Sequence, residues 1–308
     1  MDFRLSILGT ASALPVMNRY PSAHVLSVRG RSFLIDCGEG CQMRMSRMKL
    51  SALKIEAVFI SHIHGDHIFG FFGLVTTMGM LGRTAPLHVY APRSFAPILK
   101  FTLSYFGEGM KFPIEMHVVK VSSPEPVFDA KSFEVYAFPL RHRIETYGYL
   151  FKEKEPLLNV RKELIEPHAL TLTEIGALKQ GRAVTRENGD ILDPETFTYR
   201  PFVPRSYAYC SDTAPFPELS EWVKGVTLLF HEATYTSGLK ELAEATNHST
   251  ASDAALCAAE AGAGRLLLGH YSSRYKDLEP FLEEAQKVFP DTLLAKDGDI
   301  IEIPLEKF

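Results

Sequence analysis

The run Ser61-His62-Ile63-His64-Gly65-Asp66-His67 constrains this chain more than anything else in it. Three imidazoles and a carboxylate fall within six residues, directly after the wholly apolar segment 57–60, which reads as a short strand. Imidazole nitrogen and carboxylate oxygen are the donors zinc favours in catalytic sites. Alternate residues of an extended segment face one side, so His62 and His64 can bind one ion. After the turn at Gly65, Asp66 and His67 can face a second. With eleven histidines in 308 residues, so dense a group is hard to assign to chance. The run cannot complete two sites alone, and further ligands are expected at later strand ends. Three positions fit: His142 after the strand segment 133–140, Asp212 after 207–210 and His270 after 266–269. Manganese or iron would accept the same nitrogen and oxygen donors.

Around this run, strands are expected over 3–8, Ala23–Val28, 32–36, 57–60, 87–90, 133–138 and 266–268, with Arg29-Gly30 as a hairpin turn. Helices are expected over 40–48, over 93–105 with Pro92 opening its first turn, over 249–261 behind a Ser-Thr cap, and over 277–288. Strands and helices alternate in both halves, which is the pattern of an α/β protein. The segment 152–205 breaks the rhythm. It is polar, rich in Pro, Asn and Gly, and carries nine basic and nine acidic residues. An insertion of that kind is either a solvated surface excursion or a functional element. The reading is one domain over 1–308 with 152–205 as an inserted arm.

Composition narrows the function classes. Hydrophobic residues make up 46% and charged residues 23%, as in ordinary globular proteins. The first residues lack a basic region followed by a long apolar run, so no signal peptide is expected. The most apolar stretch, 69–81, is too short and interrupted to span a bilayer. Cys37, Cys41, Cys210 and Cys257 form no Cys-x-x-Cys pair and suit reduced thiols in a cytoplasm. A net charge of −4 argues against a broad phosphate-coating surface, while leaving room for one local patch.

The His-x-His-x-Asp-His run resembles the signature of the metallo-β-lactamase fold, and the wider chain resembles tRNase Z (ribonuclease Z) within it. The resemblance runs nearly end to end. It takes in Leu8-Gly9-Thr10-Ala11-Ser12-Ala13-Leu14-Pro15, Leu34-Ile35-Asp36-Cys37-Gly38-Glu39-Gly40, Leu140-Arg141-His142 and Ser211-Asp212-Thr213. His231-Glu232-Ala233-Thr234, His248-Ser249-Thr250 and His270-Tyr271-Ser272-Ser273-Arg274-Tyr275 follow in the family's order. The resemblance implies a four-layer αββα sandwich with a protruding arm and two zinc ions per subunit. One ion would be held by His62, His64 and His142, the other by Asp66, His67 and His270, with Asp212 bridging. It implies a zinc-dependent endoribonuclease that removes the 3′ trailer from tRNA precursors. A hydroxide shared by the metals would attack the phosphodiester and leave a 3′-hydroxyl.

The resemblance further implies Asp66 as proton acceptor and His248 beside the scissile phosphate; Glu232 would orient that histidine or tune its charge, as carboxylates commonly do. Without that role His248 is a neighbour of a helix cap. Arg274 either contacts phosphate or pairs with a carboxylate. Asp36 either supports the zinc-loop histidines or caps a turn. Gly38-Glu39-Gly40 before a helix looks weakly like a phosphate-binding turn, which the resemblance makes a structural support; Asn18-Arg19-Tyr20 reads as a loop that touches substrate or solvent, and Asp297-Gly298-Asp299 as a hairpin turn. The arm of such enzymes grips the tRNA elbow, and Arg161, Lys162, Lys179 and Arg182 could meet phosphates there. That arm typically carries a Gly-Pro element. This chain has no Gly-Pro dipeptide, and Glu166-Pro167-His168 is the nearest analogue. A homodimer in the cytoplasm is expected. The alternative activity is a zinc phosphodiesterase acting on small or cyclic phosphate esters; an inert binding scaffold fits poorly with a complete ligand set.

Overall fold

The computed structural model describes residues 2–14, 16–17 and 19–307. Pro15 and Asn18, named above, lie outside the described residues. The first half supplies six strands of a seven-stranded sheet, β1 (Phe3–Gly9), β2 (Ala23–Val28), β3 (Arg31–Ile35), β4 (Ile55–Phe59), β5 (Leu87–Pro92) and β6 (Ile114–Val119). Helices α1 (Cys41–Arg47), α2 (Gly65–Met80) and α3 (Phe95–Phe106) are interleaved with them. β7 (Glu125–Ala130), β8 (Phe133–Pro139) and β9 (Tyr147–Glu153) open the second sheet, and the inserted arm follows. The arm holds the two-residue strands β10 (Asn159–Val160), β11 (Val184–Thr185), β12 (Ile191–Leu192) and β13 (Thr198–Tyr199), with α4 (Leu172–Lys179) and α5 (Pro194–Phe197). The second sheet is completed by β14 (Ser206–Cys210), β15 (Leu228–Glu232), β16 (Leu266–Gly269) and β17 (Thr292–Leu294). Among these run α6 (Glu218–Trp222), α7 (Lys240–Thr246), α8 (Ala251–Ala261) and α9 (Glu279–Gln286). β18 (Ile300–Glu302) crosses back to pair with β1.

The two sheets are built alike. In the first, β3 to β6 run parallel and the rest antiparallel; in the second, β14 to β17 run parallel. Side chains of a strand alternate between faces, so every central strand feeds two cores. Phe33, Ile35, Ala57 and Phe59 point inward and meet Phe133, Tyr149, Phe151, Tyr207 and Phe230 of the other sheet. Leu34, Val58, Ile60 and Val89 point outward against Cys41, Phe71, Leu74 and Phe95 of the first helical layer. Ala208, Leu229, Leu266 and Leu268 do the same against Ala254, Ala258 and Phe281 of the second. The layer order is therefore helix, sheet, sheet, helix, as the resemblance implies. No helix among the described residues is long and apolar enough to cross a membrane.

Local chemistry explains most boundaries. Arg29 (φ 50) and Gly30 (φ 81) form the left-handed pair that a two-residue hairpin between β2 and β3 requires. Thr250 caps α8 in a reciprocal capping box with Asp253. Two expectations are corrected. Pro92 ends strand β5, where it pairs with Val119, and does not open α3, whose N-cap is Ser94. Asp297-Gly298-Asp299 is not a hairpin turn, because β17 and β18 lie in different sheets. Its Asp297 instead accepts hydrogen bonds from Thr10 Oγ1 (2.7 Å) and the Tyr20 amide (2.6 Å), pinning the loop that runs towards the cleft.

The arm is folded around its own small core of Leu170, Leu178, Leu192 and Phe197. It leaves and rejoins the second sheet between neighbouring antiparallel strands, with Lys152 opposite Ser206. Glu153 and Arg205 close its base. The Arg205 guanidinium donates to both Glu153 carboxylate oxygens (3.0 and 2.9 Å) and its backbone amide adds a third bond (3.0 Å). Arg29 donates to the same carboxylate at 2.8 Å.

Candidate metal centre

The site is assembled at strand ends, those of parallel β4, β14 and β16 and of antiparallel β8, where backbone groups are released from the ladder. β4 ends at Phe59, and the chain crosses the sheet edge through Ser61 and His62 before α2 begins at Gly65 with His64 as N-cap. Asp36, just past β3, holds this loop. Its buried carboxylate accepts from the Ser61 amide, Ser61 Oγ and His67 Nδ1 (each 2.7 Å) and from the Tyr209 hydroxyl (2.8 Å). Of its two sequence readings, support of the histidine loop is the one its contacts match. Gly70 lets α2 lie on the turn after β3: a Cβ there would stand 2.0 Å from the Gly38 carbonyl oxygen.

The second sheet supplies the remaining groups. His142 follows β8, Asp212 follows β14 and His270 follows β16. His270 adopts φ 62, a conformation unusual for a residue with a side chain and typical of constrained functional positions. The seven side chains predicted from the sequence lie together in two groups. His62, His64, His142 and Asp212 form one, and Asp66, His67 and His270 the other. In the first, donor atoms stand 3.0 Å (His62 Nε2 to His64 Nδ1), 3.4 Å (His142 Nε2 to His64 Nδ1), 3.6 Å (His62 Nε2 to Asp212 Oδ2) and 3.9 Å (His142 Nε2 to Asp212 Oδ2) apart. In the second, His67 Nε2 and His270 Nε2 lie 3.5 and 3.6 Å from Asp66 Oδ2 and 3.3 and 3.2 Å from Asp212 Oδ1. Ligands at 2.0–2.2 Å around a tetrahedral ion are separated by roughly 3.3–3.6 Å. Both groups approach that spacing, and Asp212 turns one oxygen to each.

The hydrogen bonds behind the rings select the same ligand atoms. Nδ1 of His62 meets Ser61 Oγ (2.9 Å), that of His67 meets Asp36, that of His142 meets the Asn247 carbonyl (3.0 Å), and that of His270 meets Thr234 Oγ1 (2.9 Å). Each arrangement fixes the ring and turns Nε2 inward, as metal-binding histidines require. Nε2 of His67 and of His270 are buried with no hydrogen-bond partner, which an apolar explanation does not account for. The donor chemistry, the spacing and these two orphaned nitrogens fit a pair of divalent cations. The electrostatics agree. Burial works against the charged form of Asp212, yet His270, His67 and His62 hold its carboxyl well below the usual range. Burial also opposes charge on Asp66, and His67 and His270 again outweigh it.

A cleft of about 650 Å3 opens over these residues, walled by Ser12, Ala13, Glu39, Phe69, Arg143 and Tyr235 among others. The Ala13 amide donates to Asp66 Oδ2 at 2.7 Å. His248 stands at the wall with Nδ1 2.8 Å from Glu232 Oε1. Burial pulls its imidazole down, but the Glu232 carboxylate lifts it to about 9. Glu232 is fully buried and also accepts from the amides of Thr213, Thr234 and Ser249 and from Thr234 Oγ1. Thr234 thereby links Glu232 to His270, a connection the sequence reading missed. Arg274 is exposed and outside the cleft wall, whereas Arg143, not singled out from the sequence, lines it. Arg161, Lys162, Lys179 and Arg182 lie on the arm, none of them in the cleft wall.

Residues 3–157 match the family described as Anti-Pycsar protein Apyc1. Over nearly its whole length the chain is similar to a ribonuclease Z from Cytophaga hutchinsonii, with 46% identity over 97% of this chain and 95% of the relative. Among solved structures, human tRNase Z, short form, is similar with a TM-score of 0.71 at 25% identity, covering 98% of this chain and 99% of that one. The metallo-β-lactamase fold protein YhfI of Bacillus subtilis shares the fold, with a TM-score of 0.69 at 19% identity over 98% of this chain and all of the other. The converging strand ends, the four layers and the near-complete sequence match together make this chain a member of the ribonuclease Z family of hydrolases, built on the metallo-β-lactamase fold.

Proposed function

We propose that the protein is an endoribonuclease that removes the 3′ trailer from tRNA precursors, working with two zinc ions. The observation that carries the metal chemistry is Asp212, whose two oxygens face separate groups of nitrogen and oxygen donors. His62, His64 and His142 would hold one ion, Asp66, His67 and His270 the other, and Asp212 both. When bound, such ions supply an activated water at neutral pH and positive charge for the phosphate. Asp66, kept as a carboxylate, orients the attacking water and accepts its proton. As the bond from phosphorus to the ribose 3′ oxygen breaks, its electron pair passes to that oxygen. His248, with Nδ1 engaged by Glu232, delivers a proton from Nε2 to the leaving oxygen. The products are a 3′-hydroxyl and a 5′-phosphorylated trailer.

We assign RNA binding to the arm over 152–205, with Arg161, Lys162, Lys179 and Arg182 meeting phosphates and Arg274 serving the outer rim. Several other arm cations are already paired: Arg186 with Glu174, Arg200 with Glu155, Arg205 with Glu153. A homodimer is supported by exposed Phe101, Tyr105 and Phe106 on α3, a run of apolar surface that suits burial against a second copy. The balanced charge of the arm favours one second reading, a phosphodiesterase for small or cyclic phosphate esters. Incubation of purified protein with end-labelled pre-tRNA and with a small chromogenic diester separates the two. A unique cut at the 3′ trailer supports the first reading; turnover of the diester with pre-tRNA left intact supports the second. His64→Ala should abolish both activities after chelation and zinc return while the fold persists. Full activity in that variant would overturn the metal assignment.

A further inference from the structure

A second histidine and carboxylate cluster lies away from the cleft, on the edge of the first sheet. His88 of β5 stands opposite Glu115 of β6 in the parallel register, and His117 lies two residues further on, opposite Tyr90. Residues two apart share a face, so all three side chains emerge together from two hydrogen-bonded strands. His88 Nδ1 is 3.1 Å from His117 Nε2 and 3.3 Å from Glu115 Oε2, and the three donor atoms all lie within 4.8 Å of one another. Tyr90 stacks on the His117 ring at 4.5 Å and 12°, fixing its plane.

We propose that His88, Glu115 and His117 form a further divalent-cation site, separate from the seven-residue centre. The separations at His88 match the ligand spacing of roughly 3.3 Å around a tetrahedral ion. Two imidazoles and one carboxylate suit zinc and leave a fourth position for water. The side chains of His88 and Glu115 are 32% and 48% exposed, so an ion can enter from solvent. His88 sits two residues before Tyr90, which pairs with Phe59, and His62 lies three residues beyond Phe59. Along the strands the two sites are thus offset by about three residue rises from His117 and about five from His88, roughly 10–16 Å. An ion here would tie edge strand β6 to β5 by side chains as well as backbone.

The test loads intact protein with zinc alone, dialyses it against low micromolar free zinc and counts bound metal. Wild type should retain one equivalent more than His117→Gln or Glu115→Gln, and Asp212→Ala should keep that equivalent while losing metal from the main centre. The two glutamine variants should cleave the small diester at the wild-type rate, which checks that they fold. Equal zinc content in wild type and both glutamine variants, or extra binding only at millimolar zinc, overturns the proposal. Anomalous diffraction at the zinc edge gives an independent reading: a peak beside His88 Nδ1 and His117 Nε2 supports the site, and its absence from zinc-soaked crystals refutes it.

Discussion

Glu153→Gln tests whether the arm is held to the body by a buried charge. The Glu153 side chain is inaccessible and that of Arg205 is 4% exposed. The substitution removes the negative charge facing the Arg205 guanidinium, while leaving its bond to the Ile303 carbonyl (3.0 Å) in place. Breaking one side of such a buried pair costs about 3–5 kcal/mol. For 308 residues the unfolding entropy is roughly 0.65 kcal/mol/K, so Tm should fall by about 5–8 °C. Burial opposes charge on Glu153, but Arg205 and Arg29 outweigh it and depress its carboxyl. A depressed carboxyl contributes stability above its unfolded pKa of about 4.3 and loses it as pH falls through the folded value. The Tm deficit of the variant should therefore be full at pH 7 and shrink below about pH 4. Scanning calorimetry across that range, with Arg205→Gln and the double variant, completes the cycle. A Tm within about 1 °C of wild type at pH 7, or additive single effects, would show that the pair contributes nothing, since contacting partners should be coupled.

Excising residues 155–204 with a short closing turn, keeping Glu153 paired to Arg205, should raise KM for pre-tRNA at least tenfold and spare a small diester; equal loss on both substrates removes the arm from recognition. Thr234→Val cuts the hydroxyl that meets His270 Nδ1 and should weaken zinc binding about 10–100-fold in a competitive chelator titration; unchanged affinity would show that the ring is oriented without it. Burial holds His24 at about 3, where its Nδ1 faces the Tyr207 hydroxyl at 2.8 Å. Its unfolded form gains a proton near pH 6.5, so stability is full above that value and falls between about 6.5 and 3, by up to about 1.4 kcal/mol per pH unit. His24→Gln should flatten this slope in urea melts at stepped pH, and identical slopes would refute the assignment.

The central strands were legible because Ala23–Val28 and the apolar segment before the histidine run are short, β-rich and bounded by turn signals. The clustering of the seven His and Asp side chains was legible for a different reason: ligand types in tight spacing are rare, and each later group sat just past an apolar strand. α2 was missed as a helix. Its sequence, GDHIFGFFGLVTTMGM, is apolar almost all round, so it shows little of the two-faced period that identifies a surface helix. The Asp297-Gly298-Asp299 turn was misread because a turn signal does not say which sheet each flanking strand joins. Thr234 and Ala13 lie in segments that carry the resemblance, but nothing in the sequence pointed to the contacts they make. Their importance lies in contacts across 36 and 53 residues, which only the folded chain brings together.

The donors of the metal centre come from opposite sides of a seam: His62, His64, Asp66 and His67 from the first sheet's edge, His142, Asp212 and His270 from the second's. Neither half of the chain owns a complete set, so occupancy by metal and the docking of the halves would be thermodynamically linked. Cations held there would act as rivets, resisting separation of the layers as well as serving the proposed chemistry. Stripping them should loosen the join first at the cleft, leaving the aromatic interior between the sheets to keep the halves in register.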